Sequence, residues 1–340
     1  MDNATTKQKL KFMNEQVSFF PPPVVEKFKF IDLFAGIGGF KIAMQSVGGV
    51  CQFSSEWDKD AQKTYVANFG EIPAGNIVEI SESDIPDHDV LCGGFPCQPF
   101  SLAGISARNS LNTAHGFDCK TQGTLFFEIE RIIKKRMPAV VFLENVRNLV
   151  RHDEGRTFAT IKETIEKLGY SFSYVLINAQ SKVPQKRVRC YMVCLRDTKE
   201  KFIFPEISGE PLKLKSILQE NVDEKFTISD KLWLGHQRRT ANNIARGTGF
   251  TAFCADIEKP SSTIVARYGK DGKECLIPQY GKNPRKLTPR ECARLQGFPD
   301  NFQIPVANTA AYKQFGNSVA VPVIKLISEK IAQYLENGKN

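Results

Sequence analysis

The feature that most restricts what this chain can fold into is a regular alternation of short apolar runs with amphipathic stretches. FKFIDLF (28–34) precedes GFKIAMQSVG, and VCQFSS (50–55) precedes a helical stretch carrying Trp57, Ala61, Tyr65 and Phe69. DVLCGG (89–94) and AVVFL (139–143) bracket the helical pattern TLFFEIERIIKKRM. GRTFATIKETIEKLG reads as a helix closed by Gly169, with Glu163 and Lys167 one turn apart, and YVLINA and VRCYMVCL add strands. Strands separated by helices must cross over and lie parallel, covered on both faces. The expected class is α/β with a mainly parallel sheet.

Near the C-terminus, 288-TPRE-291 is a capping-box pair with Pro289 at the first helical position, and the helix it opens should stop at Gly297. VPVIKLISEKIAQYLENG keeps apolar residues at 320, 323, 324, 327 and 331, a helical stripe that should pack back on the main sheet. The expected organisation is a catalytic and cofactor-binding domain from 27–212 plus 310–340, with 213–309 inserted as a second domain and hinge. Residues 1–26, polar and ending in Pro21–Pro23, form a loose lead-in. A length of 340 residues suits a large core with a satellite.

With 41% apolar residues and 25 Phe the chain can fill a core, which excludes wholesale disorder. No apolar run approaches the roughly 20 residues that cross a bilayer. MDNATTKQKLKF is too polar for a signal peptide. These features predict a soluble, cytoplasmic protein without membrane contact. Nine cysteines, an odd number with no C-x-x-C pair, and four scattered histidines argue for free thiols and against a zinc site or other metal. Cys190 and Cys194 read as small buried hydrophobes.

The net charge of +9 is concentrated: residues 231–290 hold twelve basic and four acidic side chains, a local balance of +8. A solvated face is the plain explanation of a charge run. Here, as in 235-GHQRRTANNIARGTGF-250, the basic residues are interleaved with Gly, Asn, Gln and Thr, a mixture that offers donors to phosphates and base edges together. The stretch also breaks the helix and strand rhythm of its flanks, which marks it as separate.

Four constellations carry chemistry. In 32-DLFAGIGGF-40, Gly36, Gly38 and Gly39 permit a tight turn and let backbone N–H groups approach a ligand at a helix N-terminus. The G-x-G-G spacing is not the dinucleotide fingerprint. Glu56, twenty residues beyond Gly36, is placed to take ribose hydroxyls, with Trp57 beside it to stack on a base; a tight βα turn plus a surface acid is the alternative. In 93-GGFPCQPFS-101, Cys97 lies between two prolines, a stiff setting that aims a thiolate, whereas Cys92 inside the run is a packing residue. In 144-ENV-146, Glu144 stands at the carboxyl end of a buried strand, where half-burial raises its pKa and makes it a proton source; it would equally serve as a helix cap. In 185-QKRVR-189, Arg187 and Arg189 share one side of an extended segment and suit a carbonyl oxygen or phosphate; ordinary surface arginines are the alternative.

In order and interval, DLFAGIGGF, PCQPFS, ENV, QKRVR, RKLTPRECARLQGFPDNF and QFGNSVAVPVI resemble the DNA (cytosine-5) methyltransferases, most closely bacterial modification enzymes. The likeness spans 28–195 and 285–324 and leaves the basic segment as the family's variable target-recognition region. It implies a Rossmann-like S-adenosylmethionine-dependent fold with a smaller inserted recognition domain. It also implies Cys97 as the nucleophile at cytosine C6, Glu144 as the group that bonds and protonates N3, Arg187 on the cytosine O2 and Arg189 in support. S-adenosylmethionine is the implied methyl donor, with Phe34, Ala35, Gly36, Ile37 and Gly39 in its binding turn. Glu56 then meets the ribose, Trp57 the base, and Asn76 the adenine edge. Ile77 and Leu125 add adenosyl contacts, and Asn317 and Val319 close the pocket.

The implied partner is double-stranded DNA, whose target base is extruded at a cost of a few kcal/mol. Ser101, Arg238, Arg239, Arg246, Arg267 and Lys270 are the candidate DNA contacts. Family likeness further implies a monomer, a short palindromic site and a functionally paired restriction endonuclease. The sequence departs from the family's pattern at Asn76, where Asp is usual, at Gln122, where Arg is usual, and in a longer 96–123 segment suited to a lid. A tRNA cytosine-5 methyltransferase shares the framework, but the basic insertion favours duplex DNA. A nicotinamide-dependent oxidoreductase explains the first constellation alone.

Overall fold

The computed structural model describes residues 18–95, 125–247 and 252–338. At its centre lie six strands, β1 (Phe28–Leu33), β2 (Gly49–Ser55), β3 (Val90–Gly94), β4 (Val140–Val146), β5 (Tyr170–Asn178) and β6 (Val188–Arg196). They are ordered β2–β1–β3–β4–β6–β5. The first four are mutually parallel, and β6 is antiparallel to both β4 and β5. One reversed strand leaves the sheet mainly parallel, as expected. The reversal follows from the link between β5 and β6, a short turn through Ala179–Ser181 rather than a helical crossover.

The helices are α1 (Gly39–Gln45), α2 (Lys59–Phe69), α3 (Leu125–Arg136), α4 (Arg156–Lys167), α5 (Asp230–Ala245), α6 (Tyr268–Asp271), α7 (Pro289–Leu295), α8 (Asn308–Asn317) and α9 (Val321–Asn337). Two-residue strands β7 (Leu276–Ile277) and β8 (Arg285–Lys286) pair separately. Strand alternation divides the core into two layers. Phe30, Cys92, Phe142 and Val193 face α1 and α9, while Ile31, Leu91, Val141 and Cys194 face α3 and α4. All five stripe residues of the last segment are buried, and α9 packs against α1. The capping box at Thr288 and Glu291 forms, and Gly297 follows the end of α7 at φ +79°.

Three readings need correction. The first part of the 231–290 segment does not break the helical rhythm: α5 runs from Asp230 to Ala245 behind a Ser229 cap. Its buried side consists of His236 and Thr240, so no apolar stripe announces it. β5 begins four residues before YVLINA, because Ser171 and Ser173 are buried and dilute the strand's apolar pattern. The described end of the lead-in is anchored rather than loose. Phe20 packs 5.9 Å from the Phe69 ring and 6.0 Å from that of Phe302, and Gln45 Nε2 donates to the carbonyls of Phe20 and Pro21.

Candidate active site

From β1 the chain goes out to β2 and returns on the other side of β1, a topological switch that opens a crevice at the carboxyl ends of β1 and β3. The glycine turn starts there after Leu33, and the segment leading to Cys97 starts there after Gly94. Phe34 turns with φ 58°, uncommon for a bulky residue. A Cβ at Gly38 (φ +82°) would lie 2.2 Å from Phe69 Cε2, and one at Gly39 would lie 2.7 Å from Val319 Cγ2. These two glycines therefore admit close packing of Phe69 and Val319 on the turn. Two of the turn's three glycine N–H groups are spent internally: Gly36 N–H donates to Glu56 Oε2 at 2.8 Å and Gly38 N–H to Ala35 O at 2.8 Å. A turn this tight closes on its own donors.

Glu56 is buried, and its other oxygen accepts the Asp58 N–H at 2.8 Å. Burial pushes this carboxyl upward, against the pull of the Asp58 and Gly36 N–H groups. Trp57 beside it is 73% exposed. Glu56 N–H donates to Ala74 O and Ala74 N–H to Ser54 O, both at 2.8 Å, which brings 74–77 alongside. Asn76 caps the turn at Ile77 by accepting the Val78 N–H at 3.3 Å, while Ile77 is buried with Leu125 packed against the same apolar layer. From the C-terminal side, Lys313 Nζ lies 2.6 Å from Asp58 Oδ2 and Gln314 accepts from the Thr64 hydroxyl at 3.0 Å. This leaves Asn317 exposed and Val319 against Gly39.

On the neighbouring strands Glu144 stands in register with Gly94 and Tyr191. It is 8% exposed, more buried than the half-burial expected. Arg189 Nε lies 3.2 Å from its Oε1, off the alignment of a hydrogen bond, so that oxygen keeps its acceptor capacity. Burial raises the Glu144 pKa, opposed by Arg189 and then Arg187. Arg187 itself departs from the expected presentation to a base. It is 2% exposed, with Nη1 on Ile264 O at 3.3 Å and Nη2 on Gly316 O at 3.3 Å and on Ser318 O. Two segments meet there, the stretch at Ile264 and the C-terminal turn of α8 with Ser318, and their inward carbonyls take its terminal nitrogens while its Nε is buried without a partner. Burial and the neighbouring Arg189 bring its pKa down to about 9. Cys97, Ser101 and Gln122 lie outside the described residues; Cys92, Cys190 and Cys194 are buried in the sheet.

In the basic segment, Arg238, Arg246, Arg267 and Lys270 are exposed and form no ion pair among the described residues. Arg239 is tied, its Nη2 3.0 Å from His236 Nδ1 and 4.0 Å from the Asp271 carboxylate. Other members of the charge run are internal: Arg285 grips buried Glu291 through two bonds of 2.8 and 2.9 Å, and Lys286 donates to Gly269 O at 3.0 Å. α6, which is preceded by Arg267 and contains Lys270, packs on α8.

Two contributors escaped the sequence reading. Asp32, inside the glycine motif, is fully buried with no hydrogen-bond partner on either oxygen, and desolvation raises its pKa to about 8, with Lys41 opposing and Glu56 adding. A polar residue ending an apolar run was the available signal. Asn145 donates from Nδ2 to Phe95 O at 2.9 Å and so fixes the last described residue before Pro96 and Cys97. The ENV motif contains it, but nothing in the spacing distinguishes it from Glu144.

Known proteins are similar to this chain in sequence and in fold. The family model for C-5 cytosine-specific DNA methylase matches residues 28–333. The chain is 52% identical over 318 residues to Type II methyltransferase M.SsoII of Shigella sonnei, covering 92% of this chain and 82% of that protein. It is 53% identical over 322 residues to Type II methyltransferase M1.ScrFI of Lactococcus lactis subsp. cremoris, covering 92% and 80%. In fold it is similar to the crystal structure of S. pombe Dnmt2 methyltransferase, with a TM-score of 0.73, 18% identity and coverage of 92% of this chain and 100% of that one.

Proposed function

Since the chain belongs to the C-5 cytosine-specific DNA methylases and is a DNA (cytosine-5) methyltransferase, we propose that it methylates a cytosine flipped out of duplex DNA, through a covalent bond from Cys97 to C6. The observation that carries this reading is Glu144, buried with its pKa pushed upward by that burial and with Arg189 beside it, in register with the strand end that leads three residues on to Cys97.

The residues present fit S-adenosylmethionine. Asp32 is a buried carboxyl without a partner near the turn, Trp57 offers an exposed ring, and Glu56 retains lone pairs beyond its two backbone bonds. When bound there, S-adenosylmethionine supplies an electrophilic methyl group. Phe34–Gly39 and Val319 would wall it, Glu56 hold the ribose, and Trp57, Asn76, Ile77 and Leu125 the adenine. On the target side the Cys97 thiolate adds to C6 as Glu144 gives a proton to N3, which leaves C5 electron-rich. After methylation the C5 proton leaves and Cys97 is eliminated, so one hard substitution becomes an addition and an elimination. The cytosine O2 is met by the Arg187 and Arg189 pair: Arg187 keeps an unpartnered Nε while its terminal nitrogens hold backbone carbonyls, and Arg189 stands beside Glu144.

Residues 213–309 act in this reading as the recognition domain, on a core made from 27–212 and 310–340. The enzyme works as a cytoplasmic monomer, and its biological role is to protect DNA from a paired restriction endonuclease. A tRNA substrate is not favoured, since relatives at about half identity are Type II methyltransferases. Among the described residues no helix is long and apolar enough to cross a membrane. Bisulfite sequencing of DNA from a host expressing the chain tests the reading: cytosines protected from conversion should appear at one short motif and vanish with Cys97→Ser. Trapping on duplexes containing 5-fluorocytosine should give a covalent adduct at Cys97. Methylation retained by Cys97→Ser overturns the proposal.

A further inference from the structure

Residues 184–187 stitch together parts of the chain that are distant in sequence. Gln185 and Arg187 are 0% and 2% exposed and turn their side chains on other segments' backbone. Gln185 Oε1 accepts the Ile264 N–H at 2.9 Å and its Nε2 donates to Leu295 O at 3.3 Å. Lys186 N–H donates to Ser261 O, and Ser261 N–H donates to Pro184 O, both at 2.9 Å. Arg187 adds the carbonyls of Ile264, Gly316 and Ser318. The far wall of this seam is Gly316, where a Cβ would lie 2.3 Å from the Val265 carbonyl carbon and 2.4 Å from Ala266 N. Backbone touches backbone there, and the next turn of chain, Ser318–Val319, presses on Gly39 of the cofactor turn.

We infer that Arg187 is a positioning residue that locks residues 261–268 of the basic segment to the 316–319 turn, so that closure on the cofactor and presentation of Arg267 and Lys270 to DNA are one event. The inference rests on the function proposed above. Arg187 Nε is already buried without a partner, so releasing one of these carbonyls would strand a further charged donor in the interior, and the two segments move together. Lysine at the same place offers a point charge without the planar fork that spans separate acceptors.

Hydrogen exchange on the full chain, with S-adenosylhomocysteine added and no DNA present, tests this. Exchange should slow on the order of tenfold at 34–39 and 316–319, and equally at 261–268, which the probe does not touch. In Arg187→Lys the slowing at 34–39 should persist while that at 261–268 disappears. Slowing at 34–39 with none at 261–268 in the unaltered chain refutes the coupling and leaves the proposed function standing. No slowing anywhere refutes the cofactor assignment and the coupling with it. Should Arg187→Lys not fold, the unaltered chain decides alone; should it fold and keep the slowing at 261–268, the role given to Arg187 is wrong.

Discussion

The carboxyl edge of the sheet and the basic segment are made of opposite materials. At the edge, position is set by backbone: Gly38 and Gly39 have no room for a side chain, Glu56 is fastened by two N–H groups, and Glu144 is held in strand register. In the basic segment, α5 buries two polar side chains and leaves Arg238 and Arg246 in solvent. A site built on close backbone approach fixes both residue type and spacing. A charged surface is fixed in its sum, and individual members of the sum do different jobs. Arg285, counted with the others, is a buried structural residue.

The largest expected difference between the two regions lies at Glu144. Glu144→Gln should lower kcat by about 10²–10⁴, the usual worth of a positioned acid, with DNA and cofactor affinity retained. Because burial raises this pKa, the proton is held to higher pH, and the rate should fall as pH rises through that raised value. A pH–rate profile of the variant should lack that alkaline limb. An unchanged limb would assign it to another group.

The same contrast explains what could be read from the residues beforehand. β1, β3, β4 and β6 were legible because apolar runs of strand length are bounded by turns, and α9 because its stripe repeats at helical period. α5 was not, since its contact side is His236 and Thr240, which bond to Asp271 O and to the backbone of Ala252. Alternation placed Arg187 and Arg189 on one side, but it cannot tell what faces them. One meets a carboxylate and the other three carbonyls. Asp32 was within the motif yet silent, because burial without a partner leaves no mark on spacing.

Glu291→Ala separates the internal charges from the solvated ones. Glu291 is fully buried, accepts both Arg285 nitrogens, and also takes the N–H groups of Thr288 and Gln219 at 2.8 Å. Its removal strands a buried guanidinium and should cost about 3–5 kcal/mol of stability in denaturant unfolding. Arg246→Ala, which changes the formal charge by the same amount in the opposite sense but at an exposed position, should stay within about 0.5 kcal/mol of the parent. Equal costs would dissolve the distinction drawn between the two kinds of arginine and acid.

At the edge, Asp32 gives a pH signature that the surface charges lack. Its folded pKa of about 8 stands above the ordinary 3.8, so between those values the native state holds a proton that the unfolded state has released. Stability should therefore fall as pH rises through this window, by at most roughly 1.4 kcal/mol per pH unit from this group. Asp32→Asn, which cannot ionise, should flatten that slope in unfolding curves taken from pH 5 to 8. A slope unchanged by the substitution would mean that another group carries it.

The smallest effects belong to single exposed arginines, and they sort by how each is held. Arg246 is solvated and without an ion pair among the described residues, so as a phosphate contact it should lower the slope of log affinity against log salt by about one when replaced by Ala, with site preference unchanged. Arg239 is different, because His236 and Asp271 fix its guanidinium before any DNA arrives. Pre-set direction is what reading a base edge requires, and a loss of about 1–3 kcal/mol at one base pair is expected from Arg239→Ala if it reads one. Binding measured across salt on matched and singly mismatched duplexes distinguishes the two. A salt slope that drops equally for both variants, with no mismatch effect from either, would place Arg239 among the phosphate contacts and reduce the recognition surface to Arg267, Lys270 and their neighbours.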